Sequence, residues 1–207
     1  PEKTSDELVL KLKDRINPFR NRCLIINDIH SFYNYDSKDN AFSLWKDANI
    51  PIPNFQIIPD ISEKSIHKII DFSKKSVQIF LRTNNETGSK GMILVTAGHS
   101  YVDIKIMLEN LFKRADQNKS FRADSKVMAV EFIDTRVESG HLDLYRAHVL
   151  GNDIISYYVV TSPKDTFHNQ DMTMDDLKRF IIVNEQFGIR INDDNIFRQK
   201  IINAVKV

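Results

Sequence analysis

Between two short apolar runs stands Thr83-Asn84-Asn85-Glu86-Thr87-Gly88-Ser89-Lys90-Gly91, too polar and too rich in small residues to be the interior of a helix or strand. Glycine and serine let backbone N–H groups approach an anion, and Lys90 adds a mobile positive charge. The chemistry open to such a loop is holding a phosphate or carboxylate. It is not a P-loop, since it lacks the Gly-Lys-Ser/Thr ending and joins two strands, so no helix N-terminus takes part. A solvated hairpin tip accounts for the same residues. Arg146 is a second candidate: it alternates with Leu144, His148 and Leu150 along one strand face, and a cation on a mostly apolar face needs a partner. An anionic ligand or an internal acid would serve. Other chemistries find no footing. The six histidines show no His-Glu-x-x-His spacing, there is no Gly-x-Ser-x-Gly elbow, and Cys23 has no nucleophile context.

The elements that must position these residues follow from periodicity. Residues 23–26 form a short apolar run, and Asp36 or Ser37 caps a helix carrying Ala41, Leu44, Trp45 and Ala48 that ends at Asn49. Ile50-Pro51-Ile52-Pro53 is then extended, because each proline pushes its predecessor out of the α region. A short helix with Ile66, Ile69 and Ile70 on one face leads to a strand at 77–81, and the polar loop leads to another at 92–95. Ser100 and Asp103 spell a capping box for a helix bearing Ile104, Met107, Leu108 and Leu111, with Lys113 and Arg114 toward its negative end. Residues 127–133 read as a strand, and 143–150 and 154–160 as a hairpin about Gly151-Asn152-Asp153. Thr173 and Asp176 open a helix with Leu177, Phe180 and Ile181 as its apolar residues. Asp193-Asp194 open the last, with Ile196, Phe197, Ile201 and Ile202. Strand, loop, strand, helix, strand, hairpin and two helices make an α+β order rather than a doubly wound one.

Composition narrows the classes. With 207 residues the chain is long enough for one large domain or one and part of another, and 42% apolar with 28% charged residues is ordinary for a globular protein. A net charge of +1 without a basic run argues against nucleic acid as partner. One cysteine excludes an internal disulfide and a cysteine-built zinc site, and fits a reducing, cytoplasmic setting. No apolar run reaches the ~18 residues of a membrane span.

Four segments in order carry a family resemblance. Residues 36–53 (DSKDNAFSLWKDANIPIP) resemble the lysine, helix and "agiPvP" lead-in of ATP-grasp ligases, and 77–95 resemble their strand, lysine, glycine-rich loop and strand. Residues 130–133 (VEFI) resemble the "vEefi" adenine hinge, and 145–151 (YRAHVLG) the "iRvfvvG" strand that follows. The pattern is most similar to the D-alanine–D-alanine ligase and ribosomal-protein glutamate ligase types. The resemblance implies an α+β fold of two antiparallel-sheet subdomains with helices and a nucleotide cleft between them. On that pattern residues 1–35 are the tail of a preceding α/β domain or an N-terminal extension, 36–76 a helical lead-in, 77–130 the lid, and 131–207 the start of the C-terminal subdomain. It implies that Lys38, Arg82, Gly88, Ser89 and Lys90 hold the phosphates of ATP and that Glu131, Phe132 and Ile133 hold adenine. Asp143 would touch ribose or metal, and Arg146 would act on the reacting phosphate. Arg82 departs from the family's lysine, and Leu144 stands where an acid is usual.

The implied reaction is ATP- and Mg²⁺-dependent activation of a carboxylate as an acyl phosphate and its capture by an amine. No metal-binding residue is assigned, because the strands that carry the family's magnesium carboxylates are expected beyond Val207; the non-Met start is likewise expected to be a cut end. A non-catalytic module binding nucleotide or a partner, and kinase-like transfer to a hydroxyl, stay open on the same residues, as does homo-oligomerisation.

Overall fold

The computed structural model describes residues 5–22, 34, 36–76, 78–86, 91–119, 124–136, 140–162 and 173–206. The architecture is α+β with antiparallel sheets, as the segment order predicts, and the chain divides into two units, residues 1–132 and 133–207. The apolar run at 23–26 and the loop residues Gly88, Ser89 and Lys90 lie outside the described residues.

The first unit contains α1 (Ser5–Ile16), a 3-10 turn at Asn17–Phe19, α2 (Lys38–Asp47), β1 (Phe55–Ile58), α3 (Glu63–Ser76), β2 (Gln78–Thr83), β3 (Met92–Thr96), α4 (Tyr101–Asn118) and β4 (Val127–Glu131). Its sheet runs β1-β4-β2-β3 with every pair antiparallel. Neither α1 nor β1 was expected. Phe55–Ile58 follows the prolines directly and is only four residues long, so no alternation announces it; it forms by pairing with Val127–Val130 at the sheet edge.

One sheet face carries the core. Ile79 and Leu81 of β2, Val127 and Ala129 of β4, Ile66 and Ile69 of α3, and Ile104, Leu108 and Leu111 of α4 are buried together. Burying each large side chain is worth about 1.5–3 kcal/mol, and the i, i+3, i+4, i+7 spacing on α4 places its share on one side. Strand alternation then puts Phe80, Arg82, Met128 and Val130 on the other face. Phe55 is in register with Val130, and its ring meets Phe42 of α2 at 5.2 Å, so α2 covers part of that second face. α2 is stopped by a Schellman turn: Ile50 N–H bonds Trp45 O at 2.8 Å and Asn49 N–H bonds Lys46 O at 3.0 Å, with Asn49 at φ 57°. α4 has the expected capping box, Ser100 Oγ accepting from Asp103 N–H at 3.2 Å and Asp103 returning to Ser100 N–H at 2.9 Å.

The second unit contains β5 (Leu142–Leu150), β6 (Asp153–Ser162), α5 (Met174–Asp193) and α6 (Asn195–Val205). β5 and β6 form the expected hairpin, its turn opened by Gly151 at φ 61°. Thr173 and Asp176 cap α5 reciprocally, and Asp194, not Asp193, caps α6 by accepting from Phe197 N–H at 2.9 Å. The buried face of α5 lies on residues other than Leu177 and Ile181. Leu177 is 43% and Ile181 58% exposed, while Val183, Phe187 and Ile191 are buried against Val159 of β6. Gly188 explains the choice: a Cβ there would stand 2.6 Å from the Tyr157 hydroxyl, so that side of α5 alone can lie this close to the hairpin. On α6, Ile196 is 72% exposed, while Ile202 is buried. No helix among the described residues is long and apolar enough to cross a membrane.

Candidate functional site

The described part of the 83–91 loop is not a solvated tip. Thr83 and Asn84 are fully buried, and Thr83 N–H bonds Gly91 O at 3.3 Å across the loop base. Asn84 is the hub. Its Nδ2 donates to Asp39 Oδ1 at 2.9 Å and Asp124 O at 3.1 Å, and its Oδ1 accepts from Lys126 N–H at 2.9 Å. Its own N–H bonds Lys126 O, and its carbonyl accepts Lys38 N–H, each at 3.0 Å. Ser37 Oγ donates to Asp124 Oδ2, and Lys126 Nζ bonds Asp39 Oδ2 at 2.8 Å. Burial opposes ionisation of Asp39, but the Lys126 and Asn84 bonds outweigh it and hold its carboxyl below the usual range. The first turn of α2 is thereby fixed to the end of β2 and to the segment before β4.

That fixture brings Lys38 and Arg82 together. Lys38 Nζ donates to Asn84 O at 3.2 Å and Glu86 O at 2.8 Å. Arg82 donates through Nε to Thr83 O at 3.3 Å and through Nη2 to the same Glu86 carbonyl at 3.2 Å. The Glu86 carboxylate is turned away: it takes Arg114 Nε at 2.7 Å and Nη2 at 2.6 Å, and Thr83 Oγ1 at 2.6 Å. These bonds hold its carboxyl below the ordinary value. Two cations therefore face one carbonyl oxygen, and among the described residues neither forms an ion pair with a carboxylate. Burial, then the charge of Arg82, lowers the Lys38 amine to about 8; burial lowers Arg82 as well. The arrangement can accept an anion, which would neutralise both groups at once. In the same loop the Asn85 Nδ2 is buried with no bond among the described residues. Two cavities of this unit lie elsewhere, one lined by Asn54–Gln56 and α3 and one by Gly91–Ile93 and α4.

Glu131 is committed within the first unit. Its carboxylate accepts from Asn54 N–H at 3.0 Å and Asn54 Nδ2 at 2.8 Å, and its own N–H bonds Asn54 O at 2.8 Å. Phe132 N–H bonds Gln78 O at 3.2 Å, and its ring meets Phe80 edge-on at 5.3 Å. Ile133 is 55% exposed.

In the second unit Asp143 is 2% exposed. Its Oδ2 accepts from Arg179 Nη2 at 2.7 Å, and its Oδ1 has no bond among the described residues. Arg146 is exposed and stands opposite Tyr158. The expected apolar surroundings are missing: His148 and Leu150 on the same strand face are exposed too, so water satisfies the guanidinium and no internal partner is needed. The residues the sequence did not single out are Asn84, Glu86 with Arg114, and Arg179. Their partners are far away in the chain, and no local pattern marks them.

Among the described residues no three His, Cys, Asp or Glu side chains form a set that could hold a metal ion. No family model and no curated protein matches the chain. Among solved structures it is similar to D-alanyl-alanine synthetase A from Vibrio cholerae O1 biovar eltor, with a TM-score of 0.47 and 17% identity. The match covers 77% of this chain and 47% of that one, so this chain spans about half the length of the enzyme it matches.

Proposed function

We propose that this chain is the nucleotide-binding part of an ATP-grasp ligase that activates a carboxylate with ATP and joins it to an amine. The observation that carries the reading is the meeting of Lys38 and Arg82 on the Glu86 carbonyl, with neither in an ion pair to a carboxylate among the described residues. Charged donors bond phosphate more strongly than a neutral carbonyl, so phosphate oxygens would displace the carbonyls. In this reading residues 36–76 lead in, 77–130 form the lid with Gly88, Ser89 and Lys90 over the phosphates, and 131–207 begin the C-terminal subdomain. Glu131, Phe132 and Ile133 would line adenine. The N–H groups of Glu131 and Phe132 are spent on Asn54 O and Gln78 O, so in this reading the backbone donor to adenine would be that of Ile133. Asp143 would act at the ribose only through its Oδ1, which has no bond among the described residues, and the exposed Arg146 would neutralise the transferring phosphoryl group.

When bound, ATP supplies the γ-phosphoryl group: the carboxylate takes it to give an acyl phosphate, ADP leaves, and the amine then expels inorganic phosphate. The chain's residues contribute position and positive charge. Magnesium finds no ligand set among the described residues, and no step is assigned to it.

The test is calorimetric titration of the 207-residue chain with ATP and Mg²⁺. Lys38→Ala and Arg82→Ala are each expected to weaken binding about tenfold or more, as loss of a charged phosphate contact does. Unchanged affinity in both variants would overturn the assignment. Release of ADP on adding amino acids and amines tests the ligase step separately.

A further inference from the structure

The second unit holds a pocket of about 420 Å³ that no part of the nucleotide reading uses, lined by Tyr145 of β5, Val183, Gln186, Phe187 and Arg190 of α5, and Phe197 of α6. The four α5 residues fall at i, i+3, i+4 and i+7, so one helix face supplies the floor and one side. Aromatic rings form the rest: Tyr145 meets Phe187 at 5.0 Å and 66°, and Phe197 meets Phe187 at 6.2 Å and 76°. These edge-to-face contacts fix the rings in place. The volume is within the range of small-molecule sites.

The polar groups are few and of one sign. The Arg190 guanidinium lies 3.9 Å from the centroid of Phe197, a stack that orients it. Among the described residues no acceptor or carboxylate bonds its N–H groups, whereas Arg179 is on Asp143, Arg198 on Asp153 and Arg136 on Asp134. Asp143 and Asp194 have partners of their own: Asp143 accepts from Arg179, and Asp194 accepts from Phe197 N–H. Gln186, one turn before Arg190, adds an amide. Burial, then the Asp143 charge, raises the Tyr145 hydroxyl above its ordinary value, so it remains a donor at neutral pH.

We propose that this pocket binds a small planar aromatic carboxylate, its ring among Tyr145, Phe187 and Phe197 and its carboxylate on the in-plane fork of Arg190. A stacked guanidinium presents its N–H edge, the geometry that takes both oxygens of a carboxylate. The aromatic walls select against a bare inorganic anion, and the Arg190 guanidinium selects against a neutral ring.

The probe is benzoate, followed by NMR titration of the full 207-residue chain, with benzamide as the neutral ring and acetate as the ringless acid. Benzoate is expected to saturate in the low millimolar range, as a ligand of this size can, with benzamide and acetate weaker by about fivefold or more. Arg190→Gln, an exposed position, should lower benzoate affinity to that of benzamide. Gln186→Trp, also exposed, should close the mouth and weaken benzoate and benzamide alike. Matching thermal melts for both variants show that the fold is kept. Absence of saturation by about 20 mM, equal binding of benzoate and benzamide, or full benzoate affinity in Arg190→Gln would each overturn the proposal.

Discussion

The two units handle their buried cations in opposite ways. In the second, Arg179 is on Asp143 at 2.7 Å, a carboxylate 2% exposed, so each charge exists in the interior only because the other does. In the first, Lys38 and Arg82 are half-buried, yet they end on backbone carbonyls, and the adjacent Glu86 carboxylate is taken by Arg114. A cation that already has its acid is part of the scaffold. One held only by carbonyls keeps a strong interaction in reserve, and a ligand can claim it. Breaking the first kind of contact should therefore cost stability, and breaking the second should cost binding.

The largest effect is expected at the scaffold pair. Arg179→Met removes the guanidinium bonded to Asp143 Oδ2, and removing one partner of a buried ion pair costs about 3–5 kcal/mol. Urea unfolding should show that loss in the transition of the second unit. Replacing both residues, as Asp143→Leu with Arg179→Met, should recover most of it, because two apolar groups need no partners. A single mutant as stable as the parent would mean that Asp143 is not buried as a charge.

Next in size is the hub that positions the other cations. Asn84→Ala removes three side-chain bonds and strands the Lys126 N–H, one oxygen of Asp39 and the Asp124 carbonyl. Leaving buried groups unsatisfied costs about 1–3 kcal/mol, here in the first unit. This substitution should also loosen Lys38 from Arg82, so it lowers both stability and ATP affinity, whereas Arg82→Ala is expected to lower affinity with far less change in the urea midpoint. Equal stability losses in the two variants would erase the distinction between scaffold and site.

These contrasts follow distance along the chain, and so does what the sequence reveals. The boxes at Ser100/Asp103 and Thr173/Asp176, the stop at Asn49 and the turn at Gly151 are each written within four residues, and each is where local chemistry puts it. α5 shows the limit of periodicity. Its sequence offers apolar residues on two sides, and the side chosen depends on Gly188 meeting Tyr157 from a strand about thirty residues earlier. Asn84 bonds Asp39, Asp124 and Lys126, and Arg179 bonds Asp143, partners that no window of sequence contains. Lys38 and Arg82 were singled out by resemblance alone; their convergence on one carbonyl became visible only once β2 and α2 were placed.

The last effect, smallest at pH 7, is also the one with the most telling sign. The Lys38 amine, lowered to about 8 by burial and by Arg82, has an ordinary value of 10.5 when unfolded. Between those values the unfolded chain binds more protons than the folded one, so Lys38 makes stability rise with pH across about 8 to 10.5. Lys38→Met should lack this increment. At pH 7 it should be as stable as the parent or slightly more so, since the Asn84 carbonyl keeps Lys38 N–H and the Glu86 carbonyl keeps Arg82, while an ammonium beside a guanidinium is removed. Urea midpoints for parent and variant from pH 7 to 10 measure the difference directly. Anion binding responds in the opposite direction, because it needs the protonated amine: ATP affinity of the parent should fall as pH rises through about 8, and that of Lys38→Met should stay flatter. A variant less stable at pH 7, with the parent's pH dependence intact, would place Lys38 with the scaffold cations and leave the anion contact at the Glu86 carbonyl to Arg82.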